Sequence, residues 1–137
     1  MKLSVKSDYA ARAVLGLARR YSTGTALRIE DLASEQGIPA NYLVQILLEL
    51  KAKGIVHSVR GKEGGYLLGR PPVQITLADV LRAVDGTVFQ MPALDDPACP
   101  PELRSAWKRL QQTLDTTADA VTFQRLLEDG EEKMYYI

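Results

Sequence analysis

A glycine-rich, basic segment is the feature of this sequence that most constrains its fold. From Val59 to Gly69 the chain reads Val-Arg-Gly-Lys-Glu-Gly-Gly-Tyr-Leu-Leu-Gly. Because glycine adopts the positive φ angles that tight turns need, this segment predicts two short strands joined by a hairpin turn, with Arg60 and Lys62 projecting from the tip. The turn glycines are Gly61, Gly64 and Gly65. An ordinary surface hairpin and the wing of a winged helix-turn-helix have the same composition. The residues that precede the hairpin must therefore distinguish these two structures.

Three segments before the hairpin have the periodicity of helices. Apolar residues recur every three or four positions over Ser7–Tyr21, over Ile29–Gln36 and again over Ala40–Lys53. The second and third segments are separated only by Gly-Ile-Pro at positions 37–39, a turn of the kind that joins a helix-turn-helix. The sequence therefore predicts a mainly α fold with a small β-hairpin wing, that is, a winged helix-turn-helix.

The third predicted helix has two unlike faces. Four apolar positions at i, i+3, i+4 and i+7 must pack inward: Leu43, Ile46, Leu47 and Leu50. Asn41 and Gln45 fall on the opposite face near the helix start, where a recognition helix presents side chains to base edges and amides can pair bidentately with adenine. Simple solvation of the two amides is the alternative. A thin basic hairpin tip, for its part, suits a DNA minor groove.

The two halves of the chain have opposite charge. The 137 residues sum to a net charge of zero, yet residues 1–70 hold 11 basic and 6 acidic residues, giving +5, and residues 71–137 hold 6 and 11, giving −5. The basic half is the half with the helix-turn-helix and hairpin, as expected of a nucleic-acid surface. The sequence contains no run of 18 apolar residues that could span a membrane, and its N-terminus lacks an apolar signal core. We therefore expect a cytoplasmic protein.

The C-terminal half predicts further helices around a proline-rich loop. Thr76 and Asp79 form a capping-box pattern at the start of a helix that stops at Gly86. Prolines make residues 91–101 a loop, and helical spacing resumes from Glu102 over more than three turns. The apolar stripe of this long helix is Leu103, Ala106, Trp107, Leu110 and Leu114.

The long apolar stripe needs a partner. A second copy of the same helix is the simplest one, which predicts a homodimer, and folding back onto its own domain is the alternative. A last short helix is expected over Thr122–Asp129, ending at Gly130, with a loosely held tail after it. The predicted divisions are a winged helix-turn-helix DNA-binding domain at 1–86, a proline-rich loop at 87–101, and a dimerisation helix with a C-terminal tail at 102–137.

At this point the chain resembles the IscR-type winged-helix transcriptional regulators, also called the Rrf2 family. The resemblance covers almost the whole length, and its motifs are Ser7-Asp8-Tyr9-Ala10, Tyr42-Leu43-x-Gln45, Val59-Arg60-Gly61-x-x-Gly64-Gly65-Tyr66-Leu67-Leu68, Ile75-Thr76, Val80 and Ala83-Val84-Asp85-Gly86. It implies a cytoplasmic bacterial homodimer, joined through the long C-terminal helix, that binds a near-palindromic operator in double-stranded DNA.

The resemblance also implies roles for single residues. By position, the groove-facing residues are Pro39, Asn41, Tyr42, Val44 and Gln45. Arg60 would enter the minor groove, with Gly61 and Lys62 beside it at the wing tip. Many members have an acidic residue where this chain has Val44, so its operator preference should differ. Phosphate contacts are expected from Lys2, Lys6, Arg28, Lys51 and Lys62.

Many members of the family hold an iron–sulphur cluster on three cysteines in the loop before the dimer helix. This chain has only Cys99 there, and one thiolate cannot hold a cluster that usually takes four protein ligands. We therefore predict no cofactor and no metal. Asp8, whose counterpart in some relatives completes the cluster, is expected to stabilise the first turn of its helix, and His57 is interpreted as a structural or DNA-proximal side chain.

Two interpretations of Cys99 stay open: an inert loop thiol, or a redox-sensitive thiol modified or paired across the dimer. Some cluster-free relatives are instead governed by a protein or small-molecule effector, for which the acidic half would offer a surface. The predicted function is a sequence-specific, dimeric DNA-binding transcriptional regulator, most simply a repressor. The alternatives are a redox- or metal-responsive regulator that senses through Cys99, and a winged-helix protein-interaction module that does not bind DNA. An enzyme is not predicted, because no triad, paired carboxylate site or phosphate loop is evident.

Overall fold

The computed structural model describes residues 2–135, with side chains as far as Glu131, and this part of the chain forms six α-helices and one hairpin. The elements in chain order are α1 (Val5–Ala18), α2 (Ile29–Gln36), α3 (Ala40–Ala52), β1 (Val56–Val59), β2 (Gly65–Leu68), α4 (Leu77–Asp85), α5 (Pro101–Ala120) and α6 (Phe123–Tyr135). Single turns of 3₁₀ helix lie at Tyr21–Thr23, Pro72–Gln74 and Pro92–Asp95. The predicted mainly α fold with a β-hairpin wing is confirmed.

Helix α1 begins two residues earlier than its apolar periodicity predicts. Ser4 caps it, because the Ser4 hydroxyl oxygen accepts a hydrogen bond from the Ser7 backbone N–H at 3.0 Å. The Ser7 side chain is fully buried, and its hydroxyl donates to the Asp85 carboxylate. This hydrogen bond joins the start of α1 to the end of α4. The helix ends at Ala18, and the chain leaves through the 3₁₀ turn before the left-handed Gly24.

The core surrounds α1, which packs against α2, α3, α4 and α6. Ala10, Ala13 and Val14 on α1 are fully buried, and their small side chains let the neighbouring helices approach closely. The turn between α2 and α3 is the predicted one: Gly37 takes a left-handed φ of 66° and ends α2. The two helices of the helix-turn-helix are thereby fixed on the same core.

The hairpin is antiparallel, with Val56 opposite Leu68 and Val59 opposite Gly65. A third segment extends it, because Leu27 and Tyr66 exchange backbone hydrogen bonds of 3.0 and 2.8 Å. Leu27 lies just before α2, so the wing is attached to the helix-turn-helix through backbone pairing and not only through the chain that follows α3.

Helix α4 has the predicted start and end. The Asp79 N–H donates to the Thr76 hydroxyl oxygen at 3.1 Å, and the Thr76 N–H donates to the Asp79 carboxylate at 2.9 Å, so the capping box is complete. The helix ends where Gly86 takes a φ of 80°.

Helix α5 is joined to α4 near its C-terminal end. Ala118 is buried in a small cluster with Ala78 and Leu81 of α4. The Arg82 guanidinium donates to both carboxylate oxygens of Asp119, at 2.9 and 3.1 Å, and this hydrogen bonding lowers the pKa of Asp119 below its ordinary value. The whole 20-residue helix is about 30 Å long. It also contacts the 3₁₀ turn Pro92–Asp95.

The chain then turns back to the core, which corrects the predicted C-terminus. Thr122 forms a backbone bridge with Thr76. Phe123, the first residue of α6, is fully buried in the hydrophobic cluster that surrounds α1. The core is therefore not confined to residues 1–86. The helix also does not end at Gly130: Gly130 has no positive φ, and α6 continues to Tyr135. One glycine within a helix costs only about 1 kcal/mol relative to alanine, so it need not end one. The last two residues of the expected tail, Tyr136 and Ile137, lie outside the described residues.

Among residues 2–135, no helix combines the length and the apolar character that crossing a bilayer would require.

Replacing Phe123 with Ala tests whether α6 is an integral part of the core. Phe123 is 0% exposed, so Phe123→Ala should lower the free energy of unfolding by about 3–5 kcal/mol. Urea denaturation at one fixed protein concentration measures this. Phe89→Ala is the control, because Phe89 is only half-buried, at the edge of the small α4–α5 cluster. Equal losses in the two variants would contradict the assignment of α6 to the core.

Candidate nucleic-acid interface

Helix α3 has one fully buried face and one exposed face. Leu43, Ile46, Leu47 and Leu50 are each 0% exposed, as predicted. The opposite positions, Asn41, Val44 and Gln45, are exposed, together with Pro39 at the helix start. The packing of α3 therefore orients outward the residues to which the sequence assigned base contacts.

Tyr42, which the resemblance also makes a groove-facing residue, lies at the side of this surface. Its ring meets the ring of Tyr9 edge-on, with centroids 5.6 Å apart, while 41% of Tyr42 stays exposed. The Arg12 guanidinium stacks over the Tyr9 ring, 5.4 Å from its centroid, and forms an ion pair of 2.7 Å with the Asp8 carboxylate. Asp8 thus has the first-turn position that the sequence predicts, with a cation as its neighbour.

The wing tip carries Arg60, Gly61 and Lys62, all exposed. Gly61 has the positive φ expected of a turn glycine, 106°. Gly64 does not, which corrects the prediction: it is needed because a Cβ at this buried position would overlap the carbonyl oxygen of Val59. Gly65 has both constraints, a φ of 149° and a backbone neighbour, Leu27, that a Cβ would overlap.

Two side-chain hydrogen bonds hold the wing relative to the helices. The Arg28 guanidinium donates to the carbonyl oxygen of Lys62 at 2.8 Å, bracing the wing tip from the start of α2. The Lys51 ammonium donates to the Ser58 hydroxyl at 2.8 Å, joining the end of α3 to β1. The sequence predicts phosphate contacts for Arg28 and Lys51. It does not predict these two hydrogen bonds, because they join residues that no local pattern connects.

The remaining phosphate candidates differ in how far their charge is balanced. Lys2 and Lys62 are exposed, and neither forms an ion pair within the described residues. Lys6 is half-buried, and its ammonium lies 2.8 Å from the carboxylate of Glu49 on α3. In the unbound protein the charge of Lys6 is therefore balanced, which makes it the least available cation of the set.

Leu48 is a surface residue that the sequence analysis did not single out. It is 50% exposed on α3, one turn after Val44, which is 41% exposed. The signal was present in the sequence: with Leu43, Ile46, Leu47 and Leu50 inward, position 48 must lie outward.

The proline-rich loop and α5 carry the remaining candidate residues. Cys99 is half-buried, with its sulphur 3.7 Å from the carbonyl oxygen of Pro100. Within the described residues, no group of three or more His, Cys, Asp and Glu side chains could hold a metal ion. On α5, Leu103 and Leu110 are 43% and 41% exposed, while the other three residues of the apolar stripe are half-buried: Ala106, Trp107 and Leu114.

Comparisons with known proteins agree on one family. The sequence profile of the Rrf2 family, described as iron-dependent transcriptional regulators, matches residues 3–129. A Mycobacterium tuberculosis protein named as an HTH-type transcriptional regulator is 39% identical over 127 residues, which cover 89% of this chain and 78% of that protein. The regulator CymR of Bacillus subtilis is 31% identical over 98% of this chain and 97% of its own length. The solved structure of T. potens IscR has a TM-score of 0.83 at 29% identity, covering 97% of this chain and 90% of that one.

A substitution at Gly65 tests how the wing is held. Gly65→Ala should free the wing from Leu27, because the new Cβ would overlap the Leu27 backbone at a φ that alanine tolerates poorly. A loss of ~1.4 kcal/mol in local stability would raise the open population about tenfold, and with it the rate of trypsin cleavage after Arg60 and Lys62. Gly24→Ala is the matched control, since Gly24 has a φ of 67° but open space around it. Unchanged cleavage of the Gly65 variant would show that the pairing with Leu27 does not hold the wing.

Proposed function

This chain belongs to the Rrf2 family of transcriptional regulators, and from that premise we propose that it is a homodimeric, sequence-specific repressor that works without an iron–sulphur cluster. The observation that carries the proposal is the joint exposure of the outward face of α3 and the Arg60 wing tip. Both lie in the +5 half of the chain, and the hydrogen bond from Arg28 to Lys62 fixes the wing relative to the helices. Repression is a simpler mode of regulation than activation, because a protein bound to promoter DNA is enough to exclude a polymerase.

The geometry supports simultaneous reading of two grooves. A major groove admits an α-helix, whose outward side chains near the N-terminus reach base edges. The narrow minor groove of A·T-rich DNA attracts an inserted arginine. Arg28 and the Leu27–Tyr66 pairing fix the wing relative to the helix-turn-helix, so both elements can engage without reordering.

The proposed dimer rests on the exposed part of α5. Leu103 and Leu110 remain exposed on α5, although its own chain packs against this helix at Ala118 and at the 3₁₀ turn Pro92–Asp95. A second α5 related by two-fold symmetry would cover this stripe. The resulting pair of winged domains matches a near-palindromic operator, whose half-sites have the same symmetry.

The residues present do not fit the iron–sulphur cluster that the resemblance to IscR-type regulators implies. Cys99 is the only cysteine in the sequence, and its thiol has backbone oxygen as its neighbour. The side chain of Asp8 is ion-paired with Arg12. A lone thiolate and an occupied carboxylate are not the donor set of an iron–sulphur cluster, which is the basis for proposing a regulator whose signal is not a bound cluster.

Removing the wing arginine tests the proposed DNA contact. Arg60→Ala should weaken operator affinity by about tenfold to a hundredfold at constant salt, the size typical of one lost groove contact in each half-site. Fluorescence anisotropy with a labelled operator measures it. Arg125→Ala is the matched control: Arg125 is an exposed arginine on α6, with 71% of its side chain accessible, in the acidic half. Equal affinities for wild type and Arg60→Ala would remove the wing from the mechanism.

A second prediction addresses the cofactor. Protein purified without oxygen should contain no stoichiometric iron and no visible absorption band, because one cysteine cannot assemble a cluster. Cys99→Ser should bind operator with the affinity of the wild type under reducing conditions. Metal analysis of both proteins, followed by DNA titration, checks the two expectations. Iron that is present in the wild type and absent from Cys99→Ser would overturn the cluster-free proposal.

A further inference from the structure

The outward stripe of α3 combines two kinds of side chain. Its residues are Asn41, Val44, Gln45 and Leu48, at i, i+3, i+4 and i+7, which is the spacing of a single helical face. Two members are amides and two are branched aliphatic groups. These four residues form the outward stripe.

The two aliphatic members have no part in the core. Val44 and Leu48 are 41% and 50% exposed, whereas the inward stripe of the same helix is completely buried. Neither belongs to the buried hydrophobic cluster around α1. Two adjacent exposed aliphatic groups at the centre of a recognition helix are therefore available to a bound partner.

The surroundings of the outward stripe favour an anionic partner. Lys51 follows Leu48 by three residues on the same face, and the exposed Arg60 and Lys62 lie on the wing that Lys51 and Arg28 brace. Duplex DNA, the partner in the proposed function, combines a phosphate backbone for these cations with base edges for the stripe.

The mixture of amide and aliphatic groups matches one kind of base pair. In the major groove an A·T pair presents adenine N6 and N7, which an amide pairs bidentately, and the thymine 5-methyl group, which makes apolar contacts. A G·C pair presents no methyl group. Val44 and Leu48 are separated by about 6 Å along the helix axis, roughly the rise of two base pairs.

We propose that Val44 and Leu48 read thymine 5-methyl groups, within a half-site whose base pairs under α3 are mainly A·T. This inference rests on the proposed function, operator binding, and goes beyond it by naming the bases and the atoms that specify them. Arg60 is not part of this readout, because it acts from the wing in the other groove.

Deoxyuridine substitution tests the inference at the level of one methyl group. Operators are first selected from random duplexes with the full-length protein, and each thymine of the half-site is then replaced by deoxyuridine, which keeps base pairing and removes only the methyl. Affinity is measured at one salt concentration. At two thymines per half-site, the wild type should lose about fourfold in affinity for each methyl removed from contact. Val44→Ala should abolish the loss at one of these thymines, and Leu48→Ala at the other.

Val73→Ala is the matched control. Val73 is 59% exposed in the turn Pro72–Gln74, which packs against α6, so its variant should keep the wild-type affinity and the same deoxyuridine losses. Insensitivity of the wild type to deoxyuridine at every position, or unchanged sensitivity in both α3 variants, would overturn the methyl readout. If Arg60→Ala still weakens binding in that case, the proposed function stands. Failure to select any sequence would overturn the proposed function, and the inference with it.

Discussion

The burial of one aliphatic stripe on α3 determines which side chains this helix presents at the protein surface. Leu43, Ile46, Leu47 and Leu50 are fully buried, and exposing any one of them would cost about 1.5–3 kcal/mol. A rotation of α3 about its axis would expose several at once, so the helix is fixed in one orientation. The outward stripe is thus set by the core, and its exposed residues can change without disturbing the buried stripe.

The wing extends this fixed surface through backbone contacts. Leu27 pairs with Tyr66, and Gly65 allows that approach because it has no side chain. Arg28 adds a hydrogen bond to the tip. At the other end of the chain, Phe123 and the Arg82–Asp119 pair hold α5 on the same core. A partner subunit docked on α5 would therefore set the spacing of the two reading surfaces, which is the quantity that an operator with two half-sites measures.

Local signals predicted much of this structure, and long-range contacts account for what they missed. The two faces of α3, the turn at Gly37 and the capping box of α4 each depend on residues within one or two helical turns. The return of Phe123 to the core depends on backbone pairing between Thr76 and Thr122, which no local pattern shows. Gly130 does not end α6, because one glycine within a helix costs only about 1 kcal/mol relative to alanine. The brace from Arg28 was missed for the same reason, and Leu48 was overlooked although the pattern contained it.

The central claim is that α3 and the wing contact DNA as one surface, and hydroxyl-radical footprinting of the protein tests it most directly. This method measures the oxidation rate of each side chain with and without operator DNA. Operator should slow oxidation at Tyr42, Leu48 and Arg60 together, at the same DNA concentration, and leave Val73 unchanged. Protection confined to α3, confined to the wing, or found only on α5 and α6 would contradict the account.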